Sequence, residues 1–197
     1  FYQKELQGFL GKHQKGTADA IEQAKNKINS KDVLILFGDT PLINLSSIKK
    51  LIKKFISSKV SASLIAFKTT QPFGYGRLIT KDGILQEIVE QINLKGDQKK
   101  IKLCNSGILI AKKKLLFDYL KKVKVNKTKK ERYLPDIFRV FYNKKIMSNF
   151  IECNEDEMLG INTIEDYSKV NIILQKKYIN KFIKTGVNFL KPDTCYL

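Results

Sequence analysis

The residue best suited to chemistry is Asp39, which follows the apolar run at residues 33–37 and a single glycine. A buried parallel strand delivers its last residue to the carboxyl edge of the sheet, where ligands bind in open α/β folds. A carboxylate at that edge could hold Mg²⁺, which prefers oxygen ligands and takes only one or two of them from protein. The same aspartate could instead be a turn residue that hydrogen-bonds to its own backbone, and spacing alone leaves both readings open.

Three other positions could contact a ligand. Gly76 lies in the segment Gly74-Tyr75-Gly76-Arg77, where two glycines would let backbone N–H groups approach a substrate, although a plain loop has the same pattern. Glu90 ends one apolar segment and Asn105 interrupts another. A polar residue within an apolar strand needs a hydrogen-bond partner, which could be a substrate hydroxyl or a backbone group.

The formal net charge of +18 suggests an anionic partner, but only three of the 37 basic residues are arginines. Recognition of phosphates and bases favours the forked guanidinium, whereas lysines scattered over helix surfaces mainly affect solubility and association. We therefore expect no nucleic-acid partner. No apolar run approaches the ~20 residues of a membrane-spanning helix, so we expect no membrane partner either.

The three cysteines are far apart and form no CxxC pair, which argues against a zinc site or a disulfide framework. Reduced thiols fit a cytoplasmic protein. His13 is the only histidine, so a histidine-based catalytic triad or a site with several histidine ligands cannot be built.

Apolar runs alternate with helical periods along the chain, and this order predicts a three-layer α/β domain. Thr17 is the expected N-cap of the first helix. The predicted helices cover residues 17–29, 45–57, 115–122, 134–143 and a long final stretch from Thr163 to Gly186. The predicted strands cover residues 32–37, 61–68, 77–80, 84–90, 102–111 and 146–152, and the first of these has the continuous apolar character of a buried parallel strand.

Seven segments, taken in order, resemble the N-acetylglucosamine-1-phosphate uridylyltransferase domain of the bifunctional bacterial uridylyltransferase/acetyltransferases. No single segment is specific, but all seven occur in the family's order and with similar spacing. They are Gly16-Thr17-Ala18-Asp19-Ala20, Phe37-Gly38-Asp39-Thr40-Pro41-Leu42-Ile43, Pro72-Phe73-Gly74-Tyr75-Gly76-Arg77, Ile88-Val89-Glu90, Asn105-Ser106-Gly107-Ile108-Leu109, Glu131-Arg132-Tyr133-Leu134-Pro135-Asp136-Ile137 and Leu159-Gly160-Ile161-Asn162.

The resemblance implies a Rossmann-like nucleotidyltransferase fold, with a mixed, mainly parallel sheet and helices on both faces. It implies that UTP and N-acetylglucosamine-1-phosphate react to give UDP-N-acetylglucosamine and pyrophosphate, with Mg²⁺ as cofactor and no protein nucleophile. The implied contacts are Gly16 and Thr17 to uracil, Phe37 and Gly38 to the nucleotide, Gly76, Glu90 and Asn105 to the sugar, and Asp39 and Asn162 to the metal, with Asn162 also touching the product.

The chain also departs from the family pattern. The family's glycine-rich, Arg- and Lys-bearing triphosphate loop has no counterpart in this sequence, so we expect a domain truncated at its N-terminus and inactive by itself. The family's uracil-reading glutamine would fall at Gly11, with Gln3 as the alternative, and the usual tyrosine is Phe37.

We expect residues 1–185 to form the nucleotidyltransferase domain and residues 186–197 to begin a left-handed β-helix. In the family the β-helix carries acetyltransferase activity and trimer contacts. The parent protein would then be a cytoplasmic homotrimer that makes a cell-envelope precursor. The alternatives are another sugar-1-phosphate nucleotidyltransferase, or a non-catalytic basic binding module.

Overall fold

The computed structural model describes residues 16–126 and 130–196. Gln3 and Gly11, the two positions considered for uracil recognition, lie outside the described residues. The described residues form five α-helices, six β-strands and several short 3₁₀ turns. The helices are α1 (Thr17–Gln23), α2 (Leu45–Ser57), α3 (Lys113–Leu120), α4 (Asp136–Asn143) and α5 (Ile164–Lys184).

The strands form one mixed sheet in which β5 is the central member. They are β1 (Asp32–Ile35), β2 (Ala62–Lys68), β3 (Arg77–Lys81), β4 (Ile84–Val89), β5 (Leu103–Lys112) and β6 (Ser148–Cys153). The order is β4-β3-β5-β2-β6, and β1 also pairs with β5. The mixed α/β fold is thus confirmed.

Among the described strands, β1, β2, β3 and β6 run in the same direction, so the predicted majority of parallel strands is confirmed, although few of these strands are direct neighbours. Only β2 and β6 pair in parallel, while β5 runs antiparallel to β1, β2 and β3, and β4 runs antiparallel to β3. The reason is that β5 lies between strands of the opposite direction and separates β1 from β2. An apolar run predicts burial but carries no information about the direction of its neighbours.

Helices cover both faces of the sheet, as predicted. Successive residues of β2 point to opposite faces, so Leu64 packs in one core cluster and Ile65 in the other. The first cluster includes side chains of α1, α3 and α4, such as Phe117 and Phe138, and the second includes α2 through Leu51. The sheet is therefore the middle layer of three.

Three predicted details in the first part of the chain are wrong. Helix α1 ends at Gln23 rather than at residue 29 and is followed by a 3₁₀ turn. Its N-cap is Gly16 rather than Thr17, because the Thr17 hydroxyl accepts a hydrogen bond from the backbone N–H of Leu134 instead. Strand β1 ends at Ile35, and Leu36 beyond it is 48% exposed, so the expected fully buried strand is half open.

Helix α5 begins after a capping box at Thr163 and ends before Gly186, whose φ of +95° is the left-handed stop that the sequence predicted. No helix among the described residues is long and apolar enough to cross a bilayer.

Candidate active site

The main cleft opens where one side of β5 is left without a neighbouring strand. On that side β1 pairs with residues 109–112, and β3 pairs only at Cys104. The intervening residues Asn105, Ser106 and Gly107 line the cleft. Because β1 ends and β3 begins at this gap, the loops that follow β1 and precede β3 meet there.

The cleft consists of two adjoining cavities that share six lining residues. The first compartment, of about 440 Å³, includes Asp39, Gly76 and Asn162. The second compartment, of about 470 Å³, includes Thr17 and Tyr133. Six residues line both: Phe37, Phe73, Gly74, Glu90, Asn105 and Gly107. Together the compartments could hold an elongated ligand with two chemically different ends.

Asp39 and Asn162 line the same compartment although they are far apart in sequence. The backbone N–H of Ile161 donates to the carbonyl oxygen of Asp39 at 2.8 Å, which fixes the two segments against each other. Asp39 and Asn162 each carry a side-chain oxygen, which is the donor type that Mg²⁺ prefers.

The capping box of α5 holds Asn162 in place. The Oδ2 atom of Asp166 accepts from the backbone N–H of Asn162 at 3.1 Å and from that of Thr163 at 3.0 Å. In return, the backbone N–H of Asp166 donates to the Thr163 hydroxyl. These hydrogen bonds, the one from Asn162 foremost, lower the pKa of Asp166. The Asp166 carboxylate is thus committed to positioning Asn162.

Gly76, Glu90 and Asn105 also converge at the cleft. The Gly76 carbonyl oxygen accepts from the Asn105 backbone N–H at 2.8 Å. A Cβ atom on Gly76 would lie 3.4 Å from Oε1 of Glu90 and only 2.9 Å from Cγ2 of Ile88. Glycine at this position therefore avoids a clash with Ile88 and leaves the Glu90 carboxylate at contact distance from the backbone.

Gly107 gives Phe37 its place. Gly107 has a φ of +84°, and a Cβ atom there would lie 2.7 Å from Cδ2 of Phe37 and closer still to Cε2. The ring of Phe37 therefore rests directly on the Gly107 backbone and borders both compartments. Gly38 follows Phe37 but is not among the lining residues of either compartment.

The Gly16-Thr17 corner is attached to the segment that carries Tyr133. The Ala18 backbone N–H donates to the Arg132 carbonyl oxygen at 3.1 Å, and Gly16 packs so tightly that a Cβ there would lie 2.9 Å from the Arg132 nitrogen. Arg132 also pairs with two carboxylates of α1, at 3.2 Å to Asp19 and 2.5 Å to Glu22. Thr17 lines the second compartment, whereas Gly16, the residue before it, is not among the lining residues.

Residue-level reasoning did not single out several residues that line the cleft. Phe73 borders both compartments although its side chain is 83% exposed, and Tyr133 borders the second. Both occur within segments that carried the family resemblance, and this was their only signal. Asp166 had a local signal, because Thr163 followed three residues later by an acidic residue is typical of a capping box.

Family and sequence comparisons agree with the geometry. The family model described as nucleotidyl transferase matches residues 3–175. The chain is 33% identical over 190 residues to the Bifunctional protein GlmU of Bartonella bacilliformis, covering 95% of this chain and 42% of that protein. It is 38% identical over 194 residues to the protein of the same name from Buchnera aphidicola subsp. Acyrthosiphon pisum, covering 98% and 42%. The chain thus spans about 42% of the length of these curated relatives.

Two solved structures share the fold. A UDP-glucose pyrophosphorylase complexed with UDP-glucose superimposes with a TM-score of 0.61 at 18% identity, covering 84% of this chain and 64% of the other. A CMP:2-keto-3-deoxy-manno-octonic acid synthetase complexed with CTP gives a TM-score of 0.59 at 12% identity, covering 81% and 68%. Because the family model matches residues 3–175, which are most of this chain, the chain belongs to the nucleotidyl transferase family.

Proposed function

We propose that this chain contributes the nucleotidyltransferase part of an enzyme that transfers a uridylyl group from UTP to N-acetylglucosamine-1-phosphate. The products are UDP-N-acetylglucosamine and pyrophosphate. Family membership and the named relatives support nucleotidyl transfer onto a sugar-1-phosphate. The observation that most favours the proposal is a two-compartment cleft with Asp39 and Asn162 at one end and Thr17 at the other.

The N-acetylglucosamine moiety is assigned to the part of the cleft that the two compartments share. Glu90 offers carboxylate oxygens that accept from sugar hydroxyls. The Oδ1 atom of Asn105 already accepts from the Gly107 backbone N–H at 3.0 Å, so the Asn105 amide group is oriented to donate from its nitrogen. Gly76 lets the sugar lie against the backbone.

The uridine moiety is assigned to the corner formed by Gly16, Thr17 and Phe37. The Thr17 hydroxyl oxygen accepts from Leu134, so its proton remains available for a carbonyl oxygen of the base. Phe37 offers an aromatic edge next to Gly38. Gly11 occupies the position of the family's uracil-reading glutamine in one alignment, and recognition of the uracil by Gln3 in the other stays a prediction.

Asp39 and Asn162 fit Mg²⁺, because both are oxygen donors and Mg²⁺ usually takes only one or two ligands from protein. Within residues 16–126 and 130–196, no group of three or more His, Cys, Asp and Glu side chains could hold a metal. Bound Mg²⁺ supplies neutralisation of negative charge on the phosphates of the nucleotide.

The proposed reaction forms a bond between a phosphate oxygen of the sugar-1-phosphate and the α-phosphorus of UTP. It breaks the bond between that phosphorus and the bridging oxygen, and pyrophosphate leaves with the electron pair. The chain needs no nucleophile or proton carrier for this step. Its residues bind and align the two substrates, which is the main source of rate in such transfers.

Properties of the whole parent protein are also part of the proposal. They include a β-helix beginning at residues 186–197 after a domain at residues 1–185, acetyltransferase activity, a homotrimer and a role in cell-envelope precursor synthesis in the cytoplasm. The bifunctional name of the relatives, of which this chain spans 42%, supports only the presence of a second activity; the other properties rest on the family resemblance.

The test is binding of UDP-N-acetylglucosamine to the 197-residue chain by calorimetry, with and without Mg²⁺. We expect weak binding that Mg²⁺ strengthens, and we expect Asp39→Asn to remove the Mg²⁺ effect. Asp82→Asn is the matched control, because Asp82 sits at φ 51° in a hairpin turn outside the cleft, where asparagine is well tolerated. In a version extended to the length of the relatives, Asp39→Asn should abolish product formation.

Mg²⁺-strengthened binding that persists in Asp39→Asn would refute the metal role. Tighter binding of UDP-glucose than of UDP-N-acetylglucosamine would favour another sugar-1-phosphate nucleotidyltransferase. Binding of duplex DNA with an affinity that falls linearly on a log–log plot against salt, without binding of sugar nucleotides, would favour the basic binding module.

A further inference from the structure

Arg77, the first residue of β3, is a buried cation that lies next to the cleft. Its exposed fraction is 2%. In the sheet it lies between Val89 of β4 and Cys104 of β5. None of the ion pairs found among the described residues includes Arg77. A buried charge has to be satisfied, so its hydrogen bonds show what it does.

The guanidinium group reaches three separate segments of the chain. Its Nε donates to the carbonyl oxygen of Ile101 at 3.0 Å, and its Nη2 donates to Oε1 of Gln91 at 2.8 Å. Its Nη1 donates to the carbonyl oxygen of Tyr75. All three acceptors are neutral, so the group acts here as a planar fork with fixed donor directions rather than as one half of an ion pair.

Each acceptor lies close in sequence to one of the residues assigned to the sugar. Tyr75 immediately precedes Gly76, and Gln91 immediately follows Glu90. Ile101 leads into β5, the strand that carries Asn105. We propose that Arg77 is a positioning residue that sets the relative positions of Gly76, Glu90 and Asn105 without touching the substrate. The assignment of these three residues to a sugar rests on the proposed function, but their attachment to Arg77 does not.

The choice of arginine follows from this geometry. A lysine keeps the charge but has one nitrogen on a flexible stem, and it cannot satisfy three acceptors that surround a plane. In Arg77→Lys at least one of the three segments would lose its hydrogen bond. The loss of this hydrogen bond should make the backbone of the cleft segments more mobile, while the apolar core on both faces of the sheet stays packed.

The experiment is hydrogen exchange of backbone amides in the wild-type chain, in Arg77→Lys and in the control Arg139→Lys. Arg139 lies on α4 with its side chain 51% exposed and a long 3.8 Å contact to Asp136. We expect Arg77→Lys to raise exchange by about tenfold in residues 74–76, 90–93 and 101–105, as loss of one charge-assisted hydrogen bond would do. Exchange in residues 62–65 of β2, which pair with β6, should stay unchanged, and Arg139→Lys should alter neither region.

Binding of UDP-N-acetylglucosamine is measured on the same samples at a temperature where both chains are fully folded, and we expect it to weaken by about tenfold in Arg77→Lys. Unchanged exchange in the three segments, or a uniform rise that includes residues 62–65 of β2, would overturn the positioning role. If wild type does not bind the sugar nucleotide but the local exchange pattern appears, the proposed function fails and the role of Arg77 stands. If Arg77→Lys does not fold, Gln91→Met, which removes only the 2.8 Å bond, should raise exchange in residues 90–93 alone, and its failure to do so would overturn the role.

Discussion

Replacement of Gly107 by alanine should both destabilise the fold and disturb the cleft. The new residue would have to adopt a φ of +84°, which costs a non-glycine residue about 1–2 kcal/mol. Its methyl group would also lie 2.7 Å from Cδ2 of Phe37, so the ring must move. Overpacking of this kind costs a further ~1–3 kcal/mol. We therefore expect a total loss of about 2–5 kcal/mol in the free energy of unfolding.

Gly83→Ala is the matched control, because it isolates the backbone cost. Gly83 has a φ of +74° in the β3–β4 turn, and a Cβ atom there would meet nothing within 4 Å. Its loss should be about 1–2 kcal/mol. The difference between the two variants measures the steric conflict with Phe37.

The assay is urea unfolding of both glycine variants, of Phe37→Leu, and of the double variant that combines Gly107→Ala with Phe37→Leu. A smaller side chain at position 37 should relieve the conflict, so the double variant should lose less than the two single losses summed. Equal losses for Gly107→Ala and Gly83→Ala would refute the reasoning, and so would strict additivity in the double variant. Binding of UDP-N-acetylglucosamine should weaken in Gly107→Ala and not in Gly83→Ala, because only the former displaces a ring that borders the cleft.

Three further outcomes are expected. Arg132→Met should lower the free energy of unfolding by about 2 kcal/mol in urea titrations, because it leaves the carboxylates of Asp19 and Glu22 without their charge-assisted hydrogen bonds. A loss as small as that from replacing an exposed lysine by methionine would contradict this. Burial raises the pKa of Cys153 to about 12, so its alkylation by iodoacetamide at pH 8 should be far slower in native than in unfolded protein. Because the pKa of Asp166 is lowered in the folded chain, the stability that its capping hydrogen bonds contribute is present above the unfolded pKa of about 3.9 and is lost as the pH falls through the lower folded pKa. The NMR chemical shifts of the backbone amides at the start of α5 should follow this titration, and Asp166→Asn should abolish it.

Regular periodicity predicted the helices and strands best. The bounds of α2, residues 45–57, are confirmed without change, because Leu51 and Phe55 lie on one face of an uninterrupted helical pattern. The turn between β3 and β4 follows from the Asp82-Gly83 pair, both of which take positive φ. Local sequence was less informative for α1, where a tertiary hydrogen bond from Leu134 takes the Thr17 hydroxyl away from capping.

The site was predicted as far as the motifs reached. Asp39, Gly76, Glu90, Asn105 and Asn162 all line the cleft, although their roles stay predictions. What the sequence could not show is how they are held, since the contacts that fix them join distant segments. No local sequence pattern predicts the hydrogen bonds of the Arg77 guanidinium. The same is true of the backbone hydrogen bond from Ile161 to Asp39.

The hydrogen bond from Ile161 to the Asp39 carbonyl oxygen has a thermodynamic consequence. It joins two segments that are neighbours only in the folded chain. A ligand that bridges Asp39 and Asn162 therefore has no comparable site on the denatured chain. Such a ligand stabilises the folded chain by mass action, by about 2.7 kcal/mol at a concentration a hundredfold above its dissociation constant, and thereby raises the melting temperature. The melting temperature therefore reports how much of the protein has ligand bound. A thermal-shift screen over nucleotides, sugars and divalent cations could rank candidate ligands without any assay of turnover.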